Sequence, residues 1–195
     1  GAVSGTIQSA ILASKDNKNL PIQIVDSQNG SVGIGLIALR AAEAVQAKKS
    51  VEDILIIVNQ AIENTTIYIG LDTLDYVVKG GRVSPTKKKI ANLLKINPIL
   101  SIEKNGINTI GKTFGTKNKA DKMMKFISKQ LPNGQFRIGL AHGNAPKISE
   151  KAKLYFENLG AEKVISTEIG PALGVHAGPN SLVVAVQILK DDLYE

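Results

Sequence analysis

His142 and His176 are the only histidines in the chain, and each lies in a glycine-flanked segment at or just beyond an apolar run, in GLAHGNAP and GVHAGPN. Glycine beside a histidine lets a ligand approach the backbone and leaves the ring accessible, although a loop histidine also serves as a structural hydrogen-bonder. The second group with chemical potential is Ser4-Gly5-Thr6, which opens an apolar-periodic segment. Two hydroxyls and unpaired backbone N–H groups at the positive end of a helix dipole suit an anion such as a carboxylate, with a plainly capped helix as the alternative. Hydroxyl plus imidazole in glycine-rich segments also raises a phosphotransferase or hydrolase using Ser4 and His176. A serine triad built on Ser4 or Ser84 lacks the G-x-S-x-G elbow that exposes an activated hydroxyl.

Other chemistries are disfavoured by residue type. The chain contains no cysteine, which removes disulfides, thiol catalysis and iron–sulfur ligation. His142 and His176 lie 34 positions apart (176 − 142), with no His-x-x-x-His pair or carboxylate-rich loop, so no metal is expected. The segment GSVGIG follows an apolar run and precedes a helical pattern, but it has neither the Walker spacing nor G-x-G-x-x-G. No cofactor is expected.

The 24 Lys and Arg against 17 Asp and Glu give a net charge of +7, which attracts anions without choosing among nucleic acid, membrane surface and acidic protein. Only Arg40, Arg82 and Arg137 are arginines, whereas base readout is usually built from arginine forks. Aromatic residues make up 4% of the chain, with no basic segment interleaved by rings to stack bases. A nucleic-acid-binding regulator therefore rests only on the charge and on the cluster Lys79, Arg82, Lys87, Lys88, Lys89 and Lys95, which otherwise reads as a solvated face or a docking patch. The composition, 43% hydrophobic and 21% charged, is that of a globular protein. No apolar run approaches the roughly 18 residues of a membrane span, and the start GAVSGTIQSA is unlike a signal peptide, so a cytoplasmic location is expected.

The elements that must position these residues follow from periodicity. Helices are expected over 4–14, with Ile7, Ala10 and Ile11 on one face, over 34–47, and from a Ser50/Asp53 capping box to about 62. The run PIQIVD at 21–26 reads as a buried parallel strand, yet nothing else in the first 62 residues reads as a partner for it. The spacing then predicts a strand in TTIYIGL, a short helix in LDTLDYVVKG, a GGRVSPT loop and a helix over 87–94. ILSIE and INTIG flank Asn105-Gly106, which predicts a hairpin on a type I′ turn. Helices over 116–131 and 146–159 and strands over 136–141, 164–168 and 182–189 complete the pattern, with IGPALGVHAGPNS joining the last two strands. The reading is α/β in two units, 1–62 and 63–195.

In order along the chain, SGTIQSA, LDTLDYVVKGGRVS, LLKINPILSIEKNGI and IGPALGVHAGPNSLVV resemble the motifs of the DegV family, and the resemblance spans nearly the whole sequence. It implies a two-domain fold, with a parallel α/β/α sheet domain, incomplete here, followed by an α/β domain with a mixed sheet. It further implies a carrier, not an enzyme, that binds a long-chain fatty acid in a tunnel between the domains and presents it to a fatty acid kinase. Matched position by position, it assigns the carboxylate to Ser4, Gly5, Thr6 and His176. Gly174, Gly178 and Pro179 would shape the second loop, and Arg82 would dock the kinase or meet the acyl phosphate. The implied partners are the fatty acid and the kinase, without nucleic acid or a membrane span and with transient contact at a membrane surface allowed. Compared with the family pattern, Phe114 replaces a frequent arginine, Asn180 a frequent glycine, and an N-terminal segment with a carboxylate-holding threonine lies outside the sequence; the unpaired strand fits that reading.

Overall fold

A computed structural model describes residues 3–83, 96–115 and 117–190. The predicted helix over 87–94, the start of the predicted helix at Thr116, and Ser84, Lys87, Lys88, Lys89 and Lys95 lie outside those residues.

The chain order is α1 (Thr6–Asp16), α2 (Val32–Gln46), α3 (Val51–Glu63), β1 (Thr65–Gly70), α4 (Asp75–Lys79), β2 (Ile96–Glu103), β3 (Gly106–Phe114), α5 (Lys119–Ser128), β4 (Phe136–His142), α6 (Pro146–Asn158), β5 (Lys163–Glu168), α7 (Pro171–Ala177) and β6 (Leu182–Ile188). The strands form one mixed sheet in the order β3-β2-β1-β6-β4-β5, antiparallel except for the β4–β5 pair. That parallel pair needs a crossover, and α6 supplies it.

Central strands β4 and β6 are buried along almost their whole length, as near-continuous apolar runs in a sheet covered on both faces must be. Alternation divides their side chains. Ile138, Leu140, Val184 and Val186 join Met123, Met124 and Ile127 of α5 and Ala152 and Phe156 of α6 in the main core. Ala141, Val183 and Ala185 meet Val32 and Leu36 of α2 on the opposite face. The residues at 139, 141 and 185 are Gly, Ala and Ala, and these small side chains let α2 lie close: a Cβ at Gly139 would sit 2.9 Å from Val32 Cβ. Helix α3 packs behind α2 through Ile37, Val58 and Ala61.

An ion network fastens α2 to the sheet. The Arg137 guanidinium of β4, whose side chain is 8% exposed, donates to both Glu43 carboxylate oxygens at 2.7 and 2.8 Å and pairs with Glu162. Burial opposes the guanidinium charge, but the hydrogen bonds to Glu162 and Glu43 outweigh it and hold Arg137 protonated. In return, the Arg137 hydrogen bond keeps the Glu162 carboxyl below its usual 4.5 despite partial desolvation.

Three expectations are corrected. Residues 21–26 join no ladder among the described residues, and Ile22 and Val25 are exposed, because no strand lies beside them to accept their backbone. The hairpin forms, but Glu103 pairs with Gly106, so Lys104 and Asn105 are the two loop residues. Neither has the positive φ that a type I′ turn requires at both positions; the positive φ, 115°, falls on Gly106 at the start of β3. Lastly, the segment expected only as a connection before β6 contains α7, so His176 stands on a helix with Pro171 at its first turn.

Candidate functional site

Helix α4 and helix α7 pack against each other at one end of the sheet, which brings the LDTLDYVVKGGRVS and GVHAGPNS segments together. The contact depends on two glycines. A Cβ at Gly80 would collide with the His176 imidazole at Nδ1 and lie 3.1 Å from the Tyr76 carbonyl oxygen. One at Gly178 would collide with the Tyr76 ring, and the φ of 72° there suits glycine in any case. Gly174 lies inside α7, where an added side chain would meet open space. Pro179 follows the turn and is exposed.

Hydrogen bonds pin the loop after α7. Gly178 N–H donates to Gly174 O at 2.8 Å, Ser181 Oγ to Gly178 O at 2.8 Å, and Asn180 N–H to Gly143 O at 2.7 Å, with Gly143 N–H returning to Ser181 O at 3.0 Å. The two glycine-flanked histidine segments are thereby joined, but their histidines differ. His142 Nδ1 accepts from Ala145 N–H at 3.2 Å and shapes the entry to α6, a structural duty. His176 Nδ1 is buried against Gly80 with no hydrogen-bond partner among the described residues, an orphan acceptor or donor of the kind that calls for an explanation.

Arg82 is exposed and folds back so that its Nη1 donates to Gly80 O at 2.9 Å. One glycine thus carries Arg82 on its carbonyl and His176 against its Cα. The third group, Ser4-Gly5-Thr6, is exposed at the start of α1. Ser4 Oγ accepts from Thr6 N–H at 3.2 Å and pairs with Thr6 Oγ1 at 2.7 Å. Gly5 is the N-cap and offers no side chain, so the N–H groups of Ile7 and Gln8, unlike that of Thr6, have no side-chain cap and face outward from the helix start. No hydrogen bond among the described residues joins this turn to His176, and α1 has no buried residue. The structure therefore brings Gly80, Arg82, His176 and Gly178 together, and among the described residues no hydrogen bond joins Ser4, Gly5 or Thr6 to them.

Sequence reasoning passed over two features. Gly80 and Tyr76 are the surfaces on which His176 and Gly178 rest, and the paired glycines of GGRVS were the available signal. A cavity of about 460 Å³ also opens at this end of the sheet, lined by Asp72 and Asn180 from the two signature segments. No local pattern foretells it. Among the described residues no cluster of His, Asp and Glu is suited to a metal, and no helix is long and apolar enough to cross a membrane.

A family model described as "Uncharacterised protein, DegV family COG1307" matches residues 1–190. A DegV domain-containing protein of Clostridium perfringens is 30% identical over 191 residues, covering 95% of this chain and 67% of the relative, so the chain spans about two thirds of that protein's length. Among solved structures, a Thermotoga maritima protein described as revealing fatty acid binding function is 25% identical, with a TM-score of 0.75 and coverage of 96% of this chain and 66% of that one. The fatty acid kinase B3 protein of Streptococcus pneumoniae, loaded with linoleic acid, shares the fold at 20% identity, with a TM-score of 0.82 and coverage of 96% and 68%.

Proposed function

The chain belongs to the DegV family, and from that membership we propose that it is a cytoplasmic fatty-acid carrier that binds a long-chain fatty acid and presents the carboxylate to a fatty acid kinase. The observation that carries this reading is the buried His176 Nδ1, held against Gly80 with no partner among the described residues, where two of the family's signature segments meet. With Nδ1 turned to Gly80, Nε2 is the nitrogen left for a ligand, and an imidazole N–H donates to a carboxylate oxygen. The Ser4 and Thr6 hydroxyls and the N–H groups of Ile7 and Gln8 supply the other donors to a head group bound between α1 and α7. Gly178 and Pro179 turn the chain away behind His176, with Gly174 two residues before it in α7. The apolar tail provides affinity, at about 0.8 kcal/mol per buried CH₂.

Arg82 is the residue we assign to the kinase or to the acyl phosphate it makes. Its guanidinium spends one N–H on Gly80 O and keeps four to meet a phosphoryl group beside the carboxylate. The relatives support the reading at their own level: the Thermotoga protein is described as fatty-acid-binding, and the streptococcal protein carries linoleic acid under a fatty acid kinase name. A catalytic use of Ser4 and His176 would need the two side chains in reach of each other, and no hydrogen bond links them.

The test is lipid extraction and mass spectrometry of the purified protein. Stoichiometric fatty acid in the wild type and loss of most of it in Ser4→Ala, His176→Ala is the expected result, whereas equal occupancy in both moves the carboxylate elsewhere. Adding a fatty acid kinase and ATP should then yield an acyl phosphate trapped by hydroxylamine, and Arg82→Ala should slow that step while leaving lipid bound. Turnover by the chain alone would return the role to an enzyme.

A further inference from the structure

The sequence contains Asn-Gly three times, at 29–30, 105–106 and 133–134. Such a pair can close on itself: the glycine nitrogen attacks the carbonyl carbon of the asparagine side chain, and with no β-carbon on the glycine nothing crowds that approach. All three pairs carry the same local chemistry, so the fold decides which of them reacts. The attacking nitrogen must be released from any hydrogen bond, and the backbone must be able to swing toward the side chain.

The first pair is held at both ends of the reaction. Asn29 is half-buried, and its Nδ2, the amine that would leave, donates to Thr65 O at 3.1 Å. Gly30 N–H, on the nitrogen that would attack, donates to Asn29 Oδ1 at 3.0 Å. Gly30 also lies under Ile102, whose Cδ1 would stand 2.6 Å from an added Cβ, so the backbone has little room to swing. The second pair is held at one end. Asn105 is exposed in the hairpin loop, but Gly106 is buried and paired with Glu103 in the ladder, so moving its nitrogen opens the end of the hairpin.

Neither restraint acts on the third pair. Asn133 and Gly134 are both exposed and lie between α5 and β4, outside any helix or strand. No hydrogen bond among the described residues uses the Asn133 side chain or the Gly134 N–H. An added Cβ at Gly134 would meet nothing within 4 Å, so the backbone there moves in open space.

We propose that Asn133 is a site of spontaneous covalent modification, which deamidates through a cyclic imide to aspartate and isoaspartate while the fold protects Asn29 and Asn105. The bond from Gly134 N to Asn133 Cγ forms as the Cγ–Nδ2 bond breaks, and the Gly134 amide proton leaves with the departing amine as ammonia. Water then opens the ring. Cleavage of the new bond gives aspartate, and cleavage at the original main-chain carbonyl gives isoaspartate, which routes the backbone through Cβ and lengthens the α5–β4 connection by one methylene. Either product turns a neutral amide into a carboxylate and lowers the net charge of +7 by one.

Peptide mapping of the aged full chain tests the assignment. The protein is held in warm, mildly alkaline buffer and digested with trypsin at intervals; the three asparagines fall in separate peptides, 19–40, 105–112 and 130–137, which mass spectrometry reads independently. In the native protein Asn133 should convert about tenfold or more faster than Asn29, with Asn105 between them, and the three rates should converge in guanidinium, where the fold no longer protects any pair. Equal native rates at the three sites, or a native Asn133 that stays intact while the unfolded chain converts it, overturns the proposal. Gly134→Ala places a methyl group beside the attacking nitrogen at a position where it meets no neighbour, so the fold should persist by circular dichroism and conversion at 133 should slow several-fold. An unslowed rate in that variant, or aspartate without isoaspartate in the wild type, overturns the cyclic route.

Discussion

Gly80 is the residue on which the candidate site turns, since the imidazole of His176 occupies the space where its side chain would be. The backbone there is helical, with a φ of −71°, so alanine is conformationally acceptable and its effect comes from the collision alone. Gly80→Ala should displace His176, destabilise the protein by about 1–3 kcal/mol, and reduce bound lipid as much as His176→Ala does. Lipid content by extraction and a urea titration check both parts, and full occupancy in Gly80→Ala would show that the imidazole position does not matter. The two histidines also show how far local pattern reaches. Both lie in glycine-flanked segments, yet His142 Nδ1 accepts from Ala145 N–H while His176 Nδ1 has no partner among the described residues. That difference depends on what lies opposite each ring, and a sequence read along one strand does not contain it.

At the level of elements, helices with a clear apolar face were legible and segments needing a distant partner were not. The capping box at Ser50 forms as read: Asp53 N–H donates to Ser50 Oγ at 3.1 Å, and α3 starts at Val51. Helices α2 and α6 and strands β4 and β6 lie within two residues of their expected bounds, because burial on one or both faces imposes the period that was read. The run at 21–26 failed for the complementary reason. Its β-branched, apolar composition is strand-like, but a strand exists only through its neighbour's hydrogen bonds. In IGPALGVHAGPNS, glycines and prolines suggested a connection, whereas Pro171 sits at the helix start, where its missing N–H costs nothing. The close approach of α2 to β4 gives a prediction at this scale. Gly139→Val should destabilise the protein by about 2–3 kcal/mol through overpacking against Val32 and Leu36, measured as a shift in urea midpoint. An unchanged midpoint would mean that α2 moves away freely.

For the whole molecule, the Glu43–Arg137–Glu162 network links α2, β4 and the turn before β5 across the covered sheet, and it makes stability depend on pH. Arg137 holds the folded-state pKa of Glu162 below the usual 4.5. The unfolded chain therefore binds a proton more readily, so the contribution of Glu162 is fully present above pH 4.5 and is lost as pH falls through the lower folded value. Glu162→Gln should flatten the acid limb of the stability profile below that pH while changing the neutral plateau less than Arg137→Met does. Chemical denaturation across the acid range checks this, and an unaltered acid limb would assign the dependence to other carboxylates. Arg137 was the sequence's one hint of the network, an arginine inside the apolar run FRIGLAH, though its partners at positions 43 and 162 lie 94 and 25 residues away.

The sequence by itself determined the α/β class, most elements and the family, because periodicity, caps and signature motifs are carried by residues within one or two turns of each other. It named His176, Gly178 and Arg82 as residues to watch. Only the tertiary structure decided that β6 inserts between β1 and β4, that Gly80 supports His176, and that a cavity opens where Gly70, Met123 and Leu182 meet. Each of these is a relation between surfaces distant along the chain, set by which apolar faces cover one another, and packing of that kind has no local signature.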